Sequence, residues 1–208
     1  MADLTLVPSR TALVNVDMQN CFVENSPVAA PGGVELLERI NRLASKCRQA
    51  GIMVIHVRHV LRPDGSNAGI LLDIPPVRDG MINQGSESAA FHRNLIIDER
   101  DILLDKPRFG AFHGTDLELL LRSRGIDTII VTGISTSVCC ETTAREAAVR
   151  DFHVLFVDDA TATFGIGDLS PEAVQKATCA TIGFIFGKVV TVDELMRAIS
   201  RASHAAAD

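Results

Sequence analysis

The run Asp127-Thr-Ile-Ile-Val-Thr132 constrains this chain more than any other stretch. It is β-branched and almost continuously apolar, which is how a strand buried on both faces of a parallel sheet reads. A turn, Gly133-Ile-Ser-Thr-Ser-Val138, and an alanine-rich helix follow it directly. The same alternation recurs along the chain. Ala12 to Asp17, Ile52 to Val57, Ile102 to Lys106, His153 to Asp158 and a segment within Phe184 to Val192 read as further strands. Met18 to Phe22 reads as a loop. Val34, Leu36, Leu37, Ile40, Leu43, Ala44 and Cys47 recur at helical spacing, with Gly51 where a helix end favours a left-handed residue. Thr115 with Glu118 three residues on reads as a capping box opening a helix to Gly125, and Ser170-Pro-Glu172 as an N-cap with Pro at the first helical position. A last helix is expected from about Asp193 to Arg201, with 202–208 frayed. The expected fold is α/β: a three-layer αβα domain over residues 1–208, built on an open, six-stranded, mainly parallel Rossmann-like sheet.

Between Leu61 and Asp101 the periodicity dissolves into Pro63, Gly65, Gly69, Pro75, Pro76, Gly80 and Gly85. A segment this long is either a cover for a binding site or a surface excursion, with room for a short helix near Leu71.

A net charge of -6 argues against an electrostatic grip on nucleic acid or an anionic membrane, and favours a small-molecule partner. No apolar run approaches the roughly 18 residues a membrane span needs, and Met1 to Arg10 shows no secretory leader pattern. The five cysteines, at 21, 47, 139, 140 and 179, are odd in number and two are adjacent, which is not a disulfide framework. A reducing cytoplasm is the expected compartment. Gly165-Ile-Gly167 lacks the third glycine of a dinucleotide turn, and neither a P-loop nor Cys-x-x-Cys occurs.

Asp17, Lys106 and Cys139 each fall at the carboxyl end of a separate strand, the edge where open α/β sheets hold ligands. Taken alone, Asp17 reads more readily as a capping or loop-closing residue. Cys140 continues through Ala144, Ala147 and Ala148 as an apolar stripe, so it should face the sheet. Cys139 shares a side with Thr142, Thr143 and Glu146 and should face the mouth of the turn, where a helix start favours the thiolate. The bland alternative makes both cysteines core residues.

Three blocks carry a resemblance: Val16-Asp-Met-Gln-Asn-Cys-Phe22, Asp105-Lys-Pro-Arg-Phe-Gly-Ala-Phe112, and Gly133-Ile-Ser-Thr-Ser-Val-Cys139 with Thr143-Ala-Arg145. In this order they resemble the isochorismatase-like cysteine hydrolases, which include ureidoacrylate, N-carbamoylsarcosine and biuret amidohydrolases and nicotinamidases. The resemblance implies a catalytic triad of Asp17, Lys106 and Cys139. It also implies a cis peptide before Ser135, with the backbone N–H groups of Ser135 and Cys139 as oxyanion hole. The implied reaction is hydrolysis of a C–N bond in a small amide or ureido compound, without a cofactor, in a homo-oligomer (dimer or tetramer). Gln19, Phe22, Arg108, Phe112 and Thr136, with Phe109, are the expected substrate neighbours; Arg108 either pairs with a substrate carboxylate or lies in solvent. Isochorismatases proper often lack the Cys, so its presence favours C–N cleavage. Ser137 and Cys140 stand where relatives often carry Asn and Val. Nicotinamidases bind a metal through an Asp-x-His motif and a further His; here the stretch is His56-Val-Arg-His59. Residues three apart on a strand point to opposite faces, so no metal is expected unless a loop beginning at Arg58 brings the two together.

Overall fold

Six parallel strands in the order β3-β2-β1-β4-β5-β6 form the sheet. They are β1 (Thr11–Val16), β2 (Met53–His59), β3 (Ile102–Lys106), β4 (Thr128–Ile134), β5 (His153–Ala162) and β6 (Lys188–Val190). The structure, a computed structural model, describes residues 4–205. The chain builds outward from β1 to β3 and then returns to β4 on the other side of β1. Where the order reverses, the crossover helices leave to opposite faces and a crevice opens between the carboxyl ends of β1 and β4. Asp17 and Cys139 lie beyond those two ends.

Side-chain alternation sorts the core into two layers. Leu13, Ile130, Leu155 and Val157 pack with Leu36, Leu37, Ile40 and Leu43 of α2 (Gly33–Gln49) and Leu195 and Ile199 of α7 (Val192–Ala205). On the other face Val14, Val16, Val57, Val131 and Phe156 pack with Leu117 and Leu121 of α4 (Leu117–Ser123) and Ala144 and Ala147 of α5 (Glu141–Ala148). β1 is buried along its whole length, whereas the edge strand β3 alternates, leaving Leu103 about half exposed. The near-continuous apolar reading of the central strands follows from cover on both sides.

Several boundaries differ from expectation. β2 runs on to His59 and β4 to Ile134, and β5 continues through the polar stretch to Ala162 after a register shift opposite Val131 and Gly133. Sheet pairing overrides polar composition there. Asn20–Val23 is a short helix, α1, rather than loop. Thr115 does not close a capping box: α4 starts at Leu117, whose N–H donates to Thr115 Oγ1, while Glu118 turns away to pair with Arg150. Ser170 does cap α6 (Pro171–Thr181), accepting from the Ala173 N–H at 3.3 Å. α7 extends past Arg201 to Ala205, so 202–205 is helical; 206–208, the remainder of the stretch expected to fray, lies outside the described residues.

The irregular 61–101 segment is not a bare loop. It holds a 3₁₀ turn at Gly69–Asp73, at the place expected near Leu71, and the short helix α3 (Pro75–Arg78). Leu61, Ala68, Leu71, Val77 and Ile82 bury against Cys21 as a small separate core. Backbone bonds from Asn20 N–H to Ala90, Cys21 N–H to Ser88 and His92 N–H to Met18 tie it to the residues that follow Asp17.

Gly133 marks the tightest approach in the sheet. Its φ is +122°, and a Cβ there would stand 1.9 Å from the Val16 carbonyl oxygen, one residue before Asp17. Gly133→Ala should therefore cost more than about 3 kcal/mol, where Gly51→Ala, strained in φ alone with nothing near its Cβ, should cost about 1–2 kcal/mol. Denaturant unfolding of the two variants checks this; equal losses would contradict it.

Candidate active site

Three strand ends converge. Asp17 follows β1 directly with φ at +54°, a left-handed conformation that Asp tolerates better than most residues and that turns its carboxylate into the crevice. Lys106 ends β3, two strands from β1, so its side chain must reach across β2. Its Nζ stops 2.8 Å from Asp17 Oδ2 and donates to the Arg108 carbonyl at 3.0 Å. Both side chains are 0% exposed. Cys139 sits in a π-helical turn, Thr136–Cys140, that opens into α5; its Sγ and a ring nitrogen of His59 lie within 4.8 Å of the Asp17 carboxylate and of each other.

Cys139 was expected at the mouth of its turn with the thiolate favoured. It is 6% exposed and packs into the layer under α5, yet it keeps contact with the charged pair. Burial pushes its thiol far above the usual range and the Asp17 charge adds to this, with only Lys106 opposing. Burial also raises Asp17, against the pull of Lys106. For Lys106, burial disfavours the ammonium, but Asp17 and Cys139 outweigh it and hold the group above its ordinary value. The crevice thus contains one firm cation and two acids that compete for a single negative charge. Passing a proton between them changes no net charge, which is the least costly rearrangement open to a buried site. Lys106 meets Asp17 as an ion pair off the hydrogen-bonding direction, which leaves both carboxylate oxygens without a directed bond.

Cys140 faces the sheet as its spacing predicted, fully buried with Sγ 3.7 Å from the Thr132 carbonyl. The bond between Ile134 and Ser135 is cis, as the resemblance implied. The Ser135 carbonyl accepts from the Val138 and Cys140 N–H groups, which closes the turn beneath Cys139. Thr143 and Glu146, on the same side of the helix as Cys139, accept from the Ala111 and Phe112 N–H groups at 3.1 Å each. They lock the segment after Lys106 onto the helix that carries the thiol. Gly110 lets that carboxylate sit close, since a Cβ would fall 2.0 Å from a Glu146 carboxylate oxygen and the side chain would have to swing aside.

The expected substrate neighbours divide. Gln19 is fully buried with both donors spent, on the His59 carbonyl at 3.0 Å and the Ala89 carbonyl at 2.8 Å. Thr136 is fully buried and its hydroxyl donates to Gln175. Phe112 lies in the core against Phe152, with ring centroids 5.7 Å apart, and Phe22 packs between the α2 layer and the 61–101 segment. Arg108 Nη1 donates to the Asn67 and Pro107 carbonyls, fastening it to the 61–101 segment. Phe109 is 37% exposed and meets the His59 ring edge-on.

His56 and His59 do point to opposite faces. His56 joins a buried network on the α2 side, with Nδ1 3.2 Å from Asn15 and Nε2 3.0 Å from Asp101, which Arg48 also binds. His59 enters the crevice, a placement sequence reasoning missed because it ended β2 at Val57. Asp17, His59 and Cys139 offer one atom each at metal-ligand spacing. The Lys106 ammonium, already on Asp17, opposes a dication there.

Replacing Lys106 by Met strands a buried carboxylate and should cost about 3–5 kcal/mol at pH 7. The folded-state value of Asp17, already raised, then rises further above its unfolded value, so the folded state binds the extra proton and stability falls as pH increases. The loss should shrink towards pH 4, and adding Asp17→Asn should recover much of it. Unfolding curves at pH 4 and pH 7 check this; a loss equal at both would contradict it.

Comparison with known proteins agrees with the fold. The isochorismatase domain family matches residues 11–194. A ureidoacrylate amidohydrolase RutB from Methylorubrum extorquens is 32% identical over 91% of this chain and 83% of its own, and one from Rhizobium rhizogenes 28% over 96% and 87%. A crystal structure of a cysteine hydrolase from Pseudomonas syringae pv. phaseolicola superposes with a TM-score of 0.90 at 35% identity, covering 97% of this chain and all of that one. An isochorismatase family protein from Burkholderia thailandensis gives 0.82 at 33%, covering 96% of this chain and all of its own. With six parallel strands, helices on both faces and a domain match across nearly the whole length, the chain belongs to the isochorismatase family.

Proposed function

We propose that the protein is a cysteine hydrolase that cleaves a C–N bond in a small amide or ureido compound, with Asp17, Lys106 and Cys139 as its triad. The observation that carries this reading is the ion pair of Lys106 and Asp17 at 2.8 Å with the Cys139 thiol in reach of the same carboxylate. In the resting site the thiol keeps its proton. Asp17 takes it as the sulfur attacks the carbonyl carbon, and Lys106 remains the counter-charge while the anion moves from carboxylate to thiolate. The backbone N–H groups of Ser135 and Cys139 hold the oxygen of the tetrahedral intermediate. Asp17 then gives its proton to the departing nitrogen, leaving an acyl- or carbamoyl-thioenzyme. A water deprotonated by Asp17 attacks that carbonyl and releases the acid, and the sulfur recovers a proton. The ureido class draws support from the relatives named ureidoacrylate amidohydrolase.

The five cysteines are free, which suits a reducing cytoplasm. No helix among the described residues is long and apolar enough to cross a membrane. Phe184 and Ile185, 86% and 69% exposed, support a homo-oligomer with this face covered. Sedimentation of the purified chain should show two or more protomers, and a monomer would contradict that part.

Assaying ammonia or amine release from ureido acids, biuret, nicotinamide and simple amides tests the reaction. Cys139→Ala should lose about 10³-fold or more in kcat/KM, and Asp17→Asn a comparable amount, whereas Cys140→Ala should keep its activity. Hydrolysis that persists in folded Cys139→Ala would overturn the reading.

A further inference from the structure

His59 is a buried titratable group that the steps above leave unused. It ends β2 in register with Lys106 and is 3% exposed. Its backbone is pinned from both sides by Gln19, whose Oε1 accepts from the His59 N–H at 2.6 Å and whose Nε2 donates to the His59 carbonyl at 3.0 Å. Phe109 meets the ring edge-on with centroids 6.0 Å apart. The ring is therefore aimed, and it is aimed at the reacting groups: one of its nitrogens lies within 4.8 Å of both the Asp17 carboxylate and Cys139 Sγ.

The ring is neutral. Burial, helped by Lys106 and Arg108, pushes its titration down to about 3. The Pro107 backbone faces the ring and, having no N–H, can only accept. The nitrogen facing Pro107 must then carry the proton, and the other bears a bare lone pair. That other nitrogen, Nε2, is buried without a hydrogen-bond partner. A buried acceptor beside a nucleophile is destabilising until a donor fills it, so the crevice selects a ligand that brings one.

We propose that His59 Nε2 accepts a hydrogen bond from an N–H on the nitrogen attached to the carbonyl under attack, making His59 a specificity-determining residue. The substrate class narrows to amides and ureides that keep a hydrogen on that nitrogen. An ester would set oxygen lone pairs against the Nε2 lone pair, and a fully substituted amide would set alkyl groups there. A site built to pair an N–H rejects analogues lacking it far more strongly than an apolar pocket does. This assignment rests on the hydrolase reading above.

The test is a matched series sharing one acyl group, as primary amide, N,N-dimethyl amide and methyl ester, given to the full chain and to His59→Phe and His59→Gln. His59→Phe should lower kcat/KM for the primary amide about 10- to 100-fold and change the ester rate by less than about threefold. His59→Gln, whose Oε1 accepts, should recover part of the amide rate. Thermal unfolding and Cys139 alkylation by iodoacetamide, measured alongside, separate a lost contact from a damaged site. Equal loss on amide and ester in a folded variant that alkylates normally would overturn the proposal. Should His59→Phe fail to fold, the amide-to-ester ratio of His59→Gln against His59→Asn decides, and a ratio indifferent to residue 59 overturns it. A parent protein that hydrolyses amides with such a ratio sinks only the His59 assignment, whereas a parent that hydrolyses none of the three esters and amides sinks the hydrolase reading and this inference together.

Discussion

A lysine and an aspartate, neither with any surface in solvent, meet 2.8 Å apart at the carboxyl edge of the sheet. Two charges taken out of water cost several kcal/mol each, and their attraction offsets that only where the surrounding chain holds them in place. The fold meets this demand from three directions. β1 delivers Asp17 in a left-handed turn, Gly133 lets β4 close against the backbone just before it, and edge strand β3 carries the lysine that spans β2. Apolar layers on both faces of the sheet supply the stability that such a pair draws on.

The pair also explains why a thiol so deeply buried suits a nucleophile. An isolated buried cysteine would be inert, because its ionisation would place a lone charge in a low-dielectric interior. Beside a fixed ammonium, the negative charge already exists on Asp17 and has only to move. From sequence, the helix start pointed to a partly ionised thiol facing the mouth of the turn. The structure holds that thiol in a closed turn where burial keeps it protonated, and the difference comes from burial on the α5 side, which residue spacing does not reveal.

What sequence showed and what it hid follow the same physics. Central strands were legible because cover on both faces demands unbroken apolar runs, and the meeting of Asp17, Lys106 and Cys139 because strand ends in a parallel sheet share one rim. Cys140 was legible through the alanines at helical spacing beyond it. Hidden were features that depend on partners distant in sequence: the polar stretch of β5 recruited into the sheet, the Thr115 and Glu118 pair separated by Arg150, and Gln19 spent on the backbone of His59 and Ala89. His59 itself was masked by its composition, since His-Val-Arg-His ends on polar residues and reads as the start of a loop. Two more strand residues turned it inward. Gly110 and Glu146 show the same limit, because their close approach is a contact between segments 36 positions apart.

At rest the thiol of Cys139 is protonated, and Asp17 and Lys106 hold the separated charges beside it. The infrared S–H stretch, taken as a difference between the parent protein and Cys139→Ala at neutral pH, tests this most directly. A thiol band for Cys139 should persist as pH rises through the ordinary cysteine range and vanish on alkylation of that residue. An absent band at neutral pH, the sign of a standing thiolate, would contradict it.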